Sequence, residues 1–284
     1  MYEEEEINIP KLPPRKVDFF IDNIIREELD KVRYKVEKKD FDWVSVIDGR
    51  EGSGKSVLAM QIGAYLDPNF SLRNIVFTSE DFIKVIRSPS TKKGSVIILD
   101  EAFNAANSRA SMSEVNRSMG AVATEMRQKN LYVLFVLPSF FDLDKQFALH
   151  RSSSLFHVYL KNGVDRGQFI IFPRSKKLLL YLNGKKTYNY SKPKSPFPPC
   201  TFTNHYTIPE KEYRQKKADA FKRRIVSNQA RNWLNQRNAY IKYIYKTIGL
   251  TQDELGKIPT NFGITPVSQR HISRIVSEIL EDMG

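Results

Sequence analysis

Gly49-Arg50-Glu51-Gly52-Ser53-Gly54-Lys55-Ser56 is the stretch that decides the fold of this 284-residue chain. The octapeptide satisfies the pattern G-x-x-x-x-G-K-[ST] of a phosphate-binding P-loop. An apolar, β-prone run at 43–47 precedes it, and a run with helical periodicity at 56–66 follows it. The sequence therefore predicts a strand, a loop and a helix in the order that this loop requires.

The residue types in this loop suit a nucleotide phosphate chain. Glycine allows the backbone to turn its N–H groups toward an anion, and the first turn of the following helix adds the positive end of its dipole. Lys55 is predicted to reach the β- and γ-phosphates, and the hydroxyl of Ser56 to bind Mg²⁺. All eight residues of the octapeptide are predicted to line the nucleotide site.

A second motif completes this prediction. The segment Ser95-Val-Ile-Ile-Leu-Asp100-Glu101 is an apolar run closed by two carboxylates, which is typical of a buried central strand whose carboxyl end reaches a site. Asp100 is predicted to hold hydrated Mg²⁺ and Glu101 to orient and deprotonate the attacking water. No Asn-Lys-x-Asp motif for guanine is present, so the two motifs favour an ATP hydrolase that depends on Mg²⁺.

Strands that alternate with helices predict an α/β fold with a mostly parallel sheet, as in RecA-like P-loop NTPases. We expect an N-terminal arm at 1–16, an ATPase domain at 17–190, a Pro-rich linker at 191–204 and a basic helical domain at 205–284. Within the ATPase domain the expected elements are a helix at 18–31, a strand at 74–78, a helix capped by Ser79, a helix at 115–128, and strands at 95–100, 130–137 and 155–160. Two further strands, 168–172 and 177–182, are expected to extend the sheet antiparallel, with a turn at Asn183-Gly184.

The C-terminal third is predicted to be helical. Basic residues recur along 210–235, a Tyr-rich amphipathic helix is expected at 237–248, and 250–258 followed by 268–279 is typical of a helix-turn-helix. Thr251 is expected to cap the first helix of this pair and Ser268 to open the second, which would present Gln269, Arg270 and Arg274 to DNA. The same helices also fit a small bundle that mediates contacts between subunits.

Charge is distributed unevenly along the chain. Residues 1–160 hold 22 Lys and Arg and 23 Asp and Glu, a net charge of −1, whereas residues 161–284 hold 23 and 9, a net charge of +14. A nucleotide site needs only one or two lysines, so the excess predicts a second polyanionic partner, with nucleic acid as the first candidate. A basic solvated surface is the alternative. The acidic N-terminus, the single cysteine and the lack of a long apolar run predict a cytoplasmic protein that does not insert into membranes.

The P-loop, the run that ends at Asp100-Glu101, the segment 126–137 and the strands that follow resemble the HerA/FtsK group of P-loop ATPases. This group includes viral genome-packaging ATPases and zonula-occludens-toxin-like proteins, and the resemblance covers about 40–182. It implies a hexameric ring that moves DNA, here expected to be double-stranded, with an arginine of one subunit completing the site of the next. Arg127 is favoured for that role, and Arg117 and Arg151 remain alternatives. Many members carry Gln or Asn after the strand that ends here at Pro138-Ser139, so Ser139 is the expected sensor of the γ-phosphate.

Sequence and resemblance together predict a DNA translocase or packaging motor driven by ATP. Two other functions remain open at this stage. One is a DNA-binding or partition-type ATPase in which nucleotide only switches assembly on DNA. The other is an assembly or secretion ATPase that acts on protein.

Overall fold

The computed structural model describes residues 9–100, 120–257 and, in the last segment, residues 268, 270, 272, 273 and 275. The chain divides into two compact units, Met1–Lys217 and Ala218–Gly284. The strands are β1 (Trp43–Gly49), β2 (Ile75–Val76), β3 (Val96–Asp100), β4 (Tyr132–Leu137), β5 (Ser154–Lys161), β6 (Asp165–Pro173) and β7 (Cys200–Thr201). The helices are α1 (Asn23–Lys38), α2 (Lys55–Leu66), α3 (Ser79–Arg87), α4 (120–128), α5 (Arg174–Gly184), α6 (Glu210–Ile248) and α7 (Gln252–Lys257). No described helix is both long and apolar enough to cross a membrane.

The first unit is built on one seven-stranded sheet with the order β2-β3-β4-β1-β5-β6-β7. The strands β1 to β5 pair parallel to their neighbours, whereas β6 and β7 pair antiparallel. This confirms the predicted α/β fold with a mostly parallel sheet, which is compatible with a P-loop NTPase. Because β4 lies between β1 and β3, the carboxyl ends of these three strands form one continuous edge, where ligands of such sheets bind.

Helices cover both faces of this sheet. On one face, Val46 of β1, Leu99 of β3 and Phe135 of β4 pack in a core cluster with side chains of α3, α4 and α5. Side chains alternate along a strand, so Asp100 points to the opposite face from Leu99. There it meets α2, because the hydroxyl of Ser56 donates to it. The P-loop helix and the α3–α5 cluster therefore lie on opposite faces.

The second predicted antiparallel strand, 177–182, is wrong, because these residues belong to helix α5. Its buried residues are Lys177, Leu180, Tyr181 and Gly184, a spacing of three, four and seven that defines one helical face. Asn183-Gly184 is therefore the end of this helix and not a hairpin turn. The first of the two predicted strands, 168–172, is confirmed within β6.

Several predicted boundaries also shift. Helix α1 begins at Asn23, where the carboxylate of Asp22 accepts from the N–H of Ile24. Thr78 and not Ser79 caps α3, because its hydroxyl accepts from the N–H of Asp81 at 3.1 Å. Part of the predicted linker, Cys200–Thr201, joins the sheet as β7. Of the helix predicted at 115–128, the structure describes 120–128.

The two helices predicted at 210–235 and 237–248 form one continuous helix, α6. The sequence holds no Pro or Gly between Pro209 and Gly249, so nothing in the backbone interrupts the helical hydrogen bonds. Gly249 has a φ of 72°, a conformation that ends helices. In the second unit, Ile241, Leu255, Ile272 and Ile275 form a small apolar cluster.

Candidate functional site

The P-loop connects β1 to α2 and depends on glycine at three positions. The φ angles of Gly49, Gly52 and Gly54 are 143°, 74° and 97°, all in the region that favours glycine. A Cβ on Gly49 would lie 2.1 Å from the carbonyl oxygen of Val158 in β5, and one on Gly54 would lie 3.0 Å from the ring of Phe202. The backbone path of the loop therefore disfavours side chains by conformation at all three positions and also by lack of space at Gly49 and Gly54.

The polar groups of the loop fit an anion. The ammonium of Lys55 donates to the carbonyl oxygens of Gly49 and Arg50 at 2.6 and 2.8 Å, so its charge lies over the loop. The hydroxyl of Ser53 is buried without a hydrogen-bond partner among the described residues. The residue that precedes α2, Gly54, has no side chain with which to cap the N-terminus of this helix. A phosphate bound here would meet a lysine, an unused hydroxyl and the N–H groups of a helix N-terminus. Arg50, Glu51 and Gly52 are exposed on the outer part of the loop.

Ser56 and Asp100, the two predicted metal ligands, lie together. The Oγ of Ser56 donates to Oδ1 of Asp100 at 3.2 Å, and Asp100 is only 1% exposed at the carboxyl end of β3. In the part of the chain that the structure describes, no three His, Cys, Asp or Glu side chains group as a metal site. A magnesium ion needs no such cage, because it binds proteins through one or two oxygen ligands together with substrate phosphates and water. The donor set of Ser56 and Asp100 therefore fits Mg²⁺.

Three further residues with predicted roles, Glu101, Arg117 and Ser139, do not belong to the Ser56–Asp100 pair. Glu101 and Arg117 lie outside the described residues. Ser139 follows β4 on the same edge of the sheet, where its hydroxyl accepts from the N–H of Phe141 at 3.2 Å and caps a short 3₁₀ turn. Its hydroxyl also lies 3.3 Å from that of Tyr190. The roles of Glu101 and Ser139 stay predictions.

Arg127 and Arg151 lie at the other edge of the sheet. Arg127 ends α4 before β4, where its guanidinium is 3.7 Å from the carboxylate of Asp40 and packs on the ring of Phe41. Arg151 pairs with Asp42, just before β1 begins. Both sit at the amino ends of parallel strands, away from the P-loop of their own chain. A role for either arginine in the site of a neighbouring subunit stays a prediction.

Sequence reasoning missed a buried polar cluster beside the P-loop. Asp48, the last residue before Gly49, is fully buried, and its carboxylate accepts from the N–H of Phe140 at 2.7 Å and from the hydroxyl of Tyr190. The Nδ1 of His157 lies 2.8 Å from the other oxygen of Asp48, and its ring stacks on Tyr190 at 3.8 Å between centroids. Burial and the charge of Asp48 raise the pKa of Tyr190 well above its ordinary value. Of these partners, His157 lies in β5, whereas Phe140 precedes that strand in the sequence and Tyr190 follows it. Only the register that pairs Asp48 with His157 brings them together.

Three more residues near the loop were not predicted. Arg166 of β6 approaches the outer part of the loop, since a Cβ built on Gly52 would lie 3.8 Å from its Nη2. Phe202 covers Gly54, as described above. Tyr213 at the start of α6 donates its hydroxyl to Oδ2 of Asp100 at 2.5 Å. The sequence places these residues 114–161 positions after Gly52, in the connection between two predicted strands, in the predicted linker and in the predicted basic helix.

The structure describes only part of the predicted helix-turn-helix. The hydroxyl of Thr251 accepts from the N–H of Glu254 at 3.3 Å, and the carboxylate of Glu254 accepts from the N–H of Thr251 at 2.8 Å. This reciprocal pair caps α7 as predicted. Arg270 is exposed, whereas Gln269 and Arg274 lie outside the described residues. The helix-turn-helix and its binding to DNA stay predictions.

No protein-family model matches the chain, and no curated protein matches its sequence. Among solved structures, the chain is similar to the N-terminal domain of zonular occludens toxin from Neisseria meningitidis. The match covers 47% of this chain and 84% of that domain, with 16% identity and a TM-score of 0.33. A similarity at this level carries no argument about activity, so the candidate site rests on its own geometry.

Proposed function

We propose that the protein binds Mg²⁺·ATP at the P-loop and hydrolyses it. The observation that carries the proposal is the approach of Ser56 to Asp100, which brings a hydroxyl from the P-loop helix and a buried carboxylate from β3 within 3.2 Å of each other. In P-loop NTPases a hydroxyl and a carboxylate at these positions hold the metal that bridges the phosphates. The glycine-lined loop and the charge of Lys55 supply the phosphate site next to that pair.

Each residue has a distinct task in this proposal. The loop N–H groups and Lys55 bind the phosphate oxygens and neutralise charge as it develops on the γ-phosphate. Ser56 and Asp100 would hold Mg²⁺, which would supply positive charge that stabilises the phosphates. Glu101, which follows Asp100 directly in the sequence, accepts the proton of the attacking water. Ser139, at the end of the neighbouring strand β4, is the candidate sensor.

We infer further that hydrolysis drives movement of DNA. The support is the net charge of +14 in residues 161–284, which exceeds what a nucleotide site needs. The exposed basic residues of the first turns of α6 add to it, including Lys211, Arg214 and Lys222. A ring of subunits with an arginine supplied in trans belongs to the same proposal. A nucleotide-switched DNA-binding ATPase and an ATPase that acts on protein are the two alternatives.

The test is steady-state hydrolysis of ATP with and without long double-stranded DNA. The variants are Glu101→Gln and, as a matched control, Glu27→Gln on the exposed face of α1. We expect DNA to stimulate the wild type and the control severalfold, and Glu101→Gln to hydrolyse no ATP. A hydrolysis rate that DNA does not change would contradict the DNA motor and favour an ATPase that acts on protein. Binding of nucleotide without hydrolysis in the wild type would favour the switch.

A further inference from the structure

The segment that follows β7 wraps around the P-loop helix. The side-chain amide of Gln61, in α2, donates to the carbonyl oxygens of Thr203 and His205 at 2.8 and 2.9 Å. The hydroxyl of Thr207 donates to the carbonyl of Met60 at 3.2 Å. The strap, as we call residues 202–217, is therefore fixed against the helix whose N-terminus forms the phosphate site.

The strap ends in the first turns of α6, where Tyr213 is 4% exposed. Its ring packs between Phe77 and Tyr206, with centroid distances of 5.8 and 6.1 Å. Lys216, one turn further, donates to the carbonyl oxygens of Leu72 and Ile75 at 2.8 and 2.6 Å. These contacts lie within the unit Met1–Lys217 and fix the position of the Tyr213 hydroxyl.

That hydroxyl meets the predicted metal ligand. It donates to Oδ2 of Asp100 at 2.5 Å, while Oδ1 of the same carboxylate faces the hydroxyl of Ser56. One oxygen of Asp100 is thus held from the strap and the other is directed toward the P-loop helix. A packing role explains the ring of Tyr213 but not its hydroxyl, because a phenylalanine would fill the same space between Phe77 and Tyr206.

We propose that Tyr213 is a positioning residue for the metal site: its hydroxyl fixes the rotation of the Asp100 carboxylate, so that Oδ1 is presented to Mg²⁺ beside Ser56. The inference rests on the proposed binding of Mg²⁺·ATP. Groups that hydrogen-bond a metal ligand orient it, and their loss lowers metal affinity by about 10–100-fold. The strap thereby makes the start of α6 part of the nucleotide site.

The test compares Tyr213→Phe with the wild type by titrating Mg²⁺ into protein that contains a fluorescent ATP analogue. Tyr206→Phe is the matched control, since it removes a phenolic hydroxyl from the same aromatic group, at a ring that packs against Tyr213. We expect Tyr213→Phe to raise the Mg²⁺ concentration at half-saturation by about tenfold or more. Its affinity for the analogue in EDTA and its rate of hydrolysis at saturating Mg²⁺ should stay within about twofold of the wild type.

Two results distinguish a failure of the positioning role of Tyr213 from a failure of the proposed metal site. If Tyr213→Phe needs no more Mg²⁺ than the wild type and Tyr206→Phe, Tyr213 does not position Asp100, and the proposed nucleotide site is untouched. If the wild type binds the analogue equally well with and without Mg²⁺, the proposed metal site fails and the positioning role fails with it. A melting temperature for each variant verifies that it is folded, and a loss of the hydrolysis plateau without a shift in Mg²⁺ dependence would assign Tyr213 a purely structural role.

Discussion

Two buried carboxylates end parallel strands of the same sheet, on opposite faces. Asp48 ends the core part of β1, and its partners are a backbone N–H, a tyrosine hydroxyl and a histidine ring. Asp100 ends β3, and among the described residues the hydroxyls of Ser56 and Tyr213 donate to it. The N–H of Phe140 cannot move away from Asp48 unless the backbone moves. The hydroxyl of Ser56, in contrast, can rotate and offer its lone pairs to a metal bound beside Asp100.

From this difference we infer that Asp48 supports the fold and that Asp100 serves the proposed nucleotide site. Asp48 fixes the turn at Phe140 and the stack of His157 on Tyr190, and so holds the edge of the sheet where β1 enters the P-loop. Asp100 shares its oxygens between the P-loop helix and the strap. We therefore expect substitutions at Asp48 to change mainly the stability of the protein, and substitutions at Asp100 to change mainly its dependence on Mg²⁺.

The largest effect is expected from Asp48→Ala. The change leaves the N–H of Phe140 and the hydroxyl of Tyr190 buried without the acceptor that Asp48 provides, and each such group costs about 1–3 kcal/mol, so the free energy of unfolding should fall by about 3 kcal/mol. Urea denaturation measures it, with Asp165→Ala on the exposed end of β6 as the control. A loss below about 1 kcal/mol would mean that the cluster contributes little to the fold.

Asp100→Asn is expected to give the next largest effect, on binding and not on stability. The amide removes the charge that Mg²⁺ requires, so the affinity for the ATP analogue in Mg²⁺ should fall about 100-fold, or about 2.7 kcal/mol. Fluorescence titration measures it, and Asp48→Asn is the control that sharpens the comparison. If both variants weakened binding in Mg²⁺ equally, the division between a supporting and a metal-binding carboxylate would be wrong.

Tyr190→Phe should reduce stability by about 1.5 kcal/mol, because it removes a hydrogen bond to a buried charge. It also has a pH signature. The pKa of Tyr190 is raised in the folded state, so the unfolded chain loses this proton first and the free energy of unfolding falls as the pH rises above about 10. Denaturation at pH 8 and pH 11 should show a smaller fall for Tyr190→Phe than for the wild type. Equal falls would mean that the raised pKa does not contribute.

Ser139→Ala is expected to have the smallest effect on stability. The serine is half-buried, and its hydroxyl caps a short 3₁₀ turn, so the loss should be about 1 kcal/mol or less. If Ser139 also senses the γ-phosphate, the hydrolysis rate falls severalfold while the affinity for ADP is unchanged. Equal hydrolysis rates for Ser139→Ala and the wild type would mean that Ser139 only caps the 3₁₀ turn and does not sense the γ-phosphate.

The sequence predicted those parts of the candidate site that are continuous along the chain. The P-loop octapeptide and the apolar run that ends at Asp100 each carry a local pattern, and the parallel order of the strands brings them together. Asp48, His157 and Tyr190 carry no such pattern, because the cluster depends on strand register and on an aromatic stack between distant segments. Tyr213 lies in a predicted basic helix. The periodicity of such a helix indicates its exposed face but does not show that the Tyr213 hydroxyl reaches the carboxylate of Asp100.

The misread strand at 177–182 has a similar cause. Its run of leucines fits both the two-residue period of a strand and the period of about 3.6 residues of a helix. The turn signal at Asn183-Gly184 likewise fits both a hairpin and a helix end. The choice depended on Lys177, which an alternating strand would expose and which the structure buries completely. Its ammonium donates to Ser152 and to the carbonyl oxygen of Ala148, and burial lowers the pKa of Lys177 to about 7. A buried lysine with its own acceptors cannot be recognised from periodicity.

The most direct test of the account is equilibrium binding of ATP to the wild type and to Lys55→Ala, each in Mg²⁺ and in EDTA. We predict that the wild type binds ATP and that Mg²⁺ strengthens the binding. Lys55→Ala, which removes the charge over the loop, should bind at least about tenfold more weakly in both conditions and keep the melting temperature of the wild type. Equal binding by the two proteins, or no binding of ATP by the wild type, would contradict the claim that this loop is a nucleotide site.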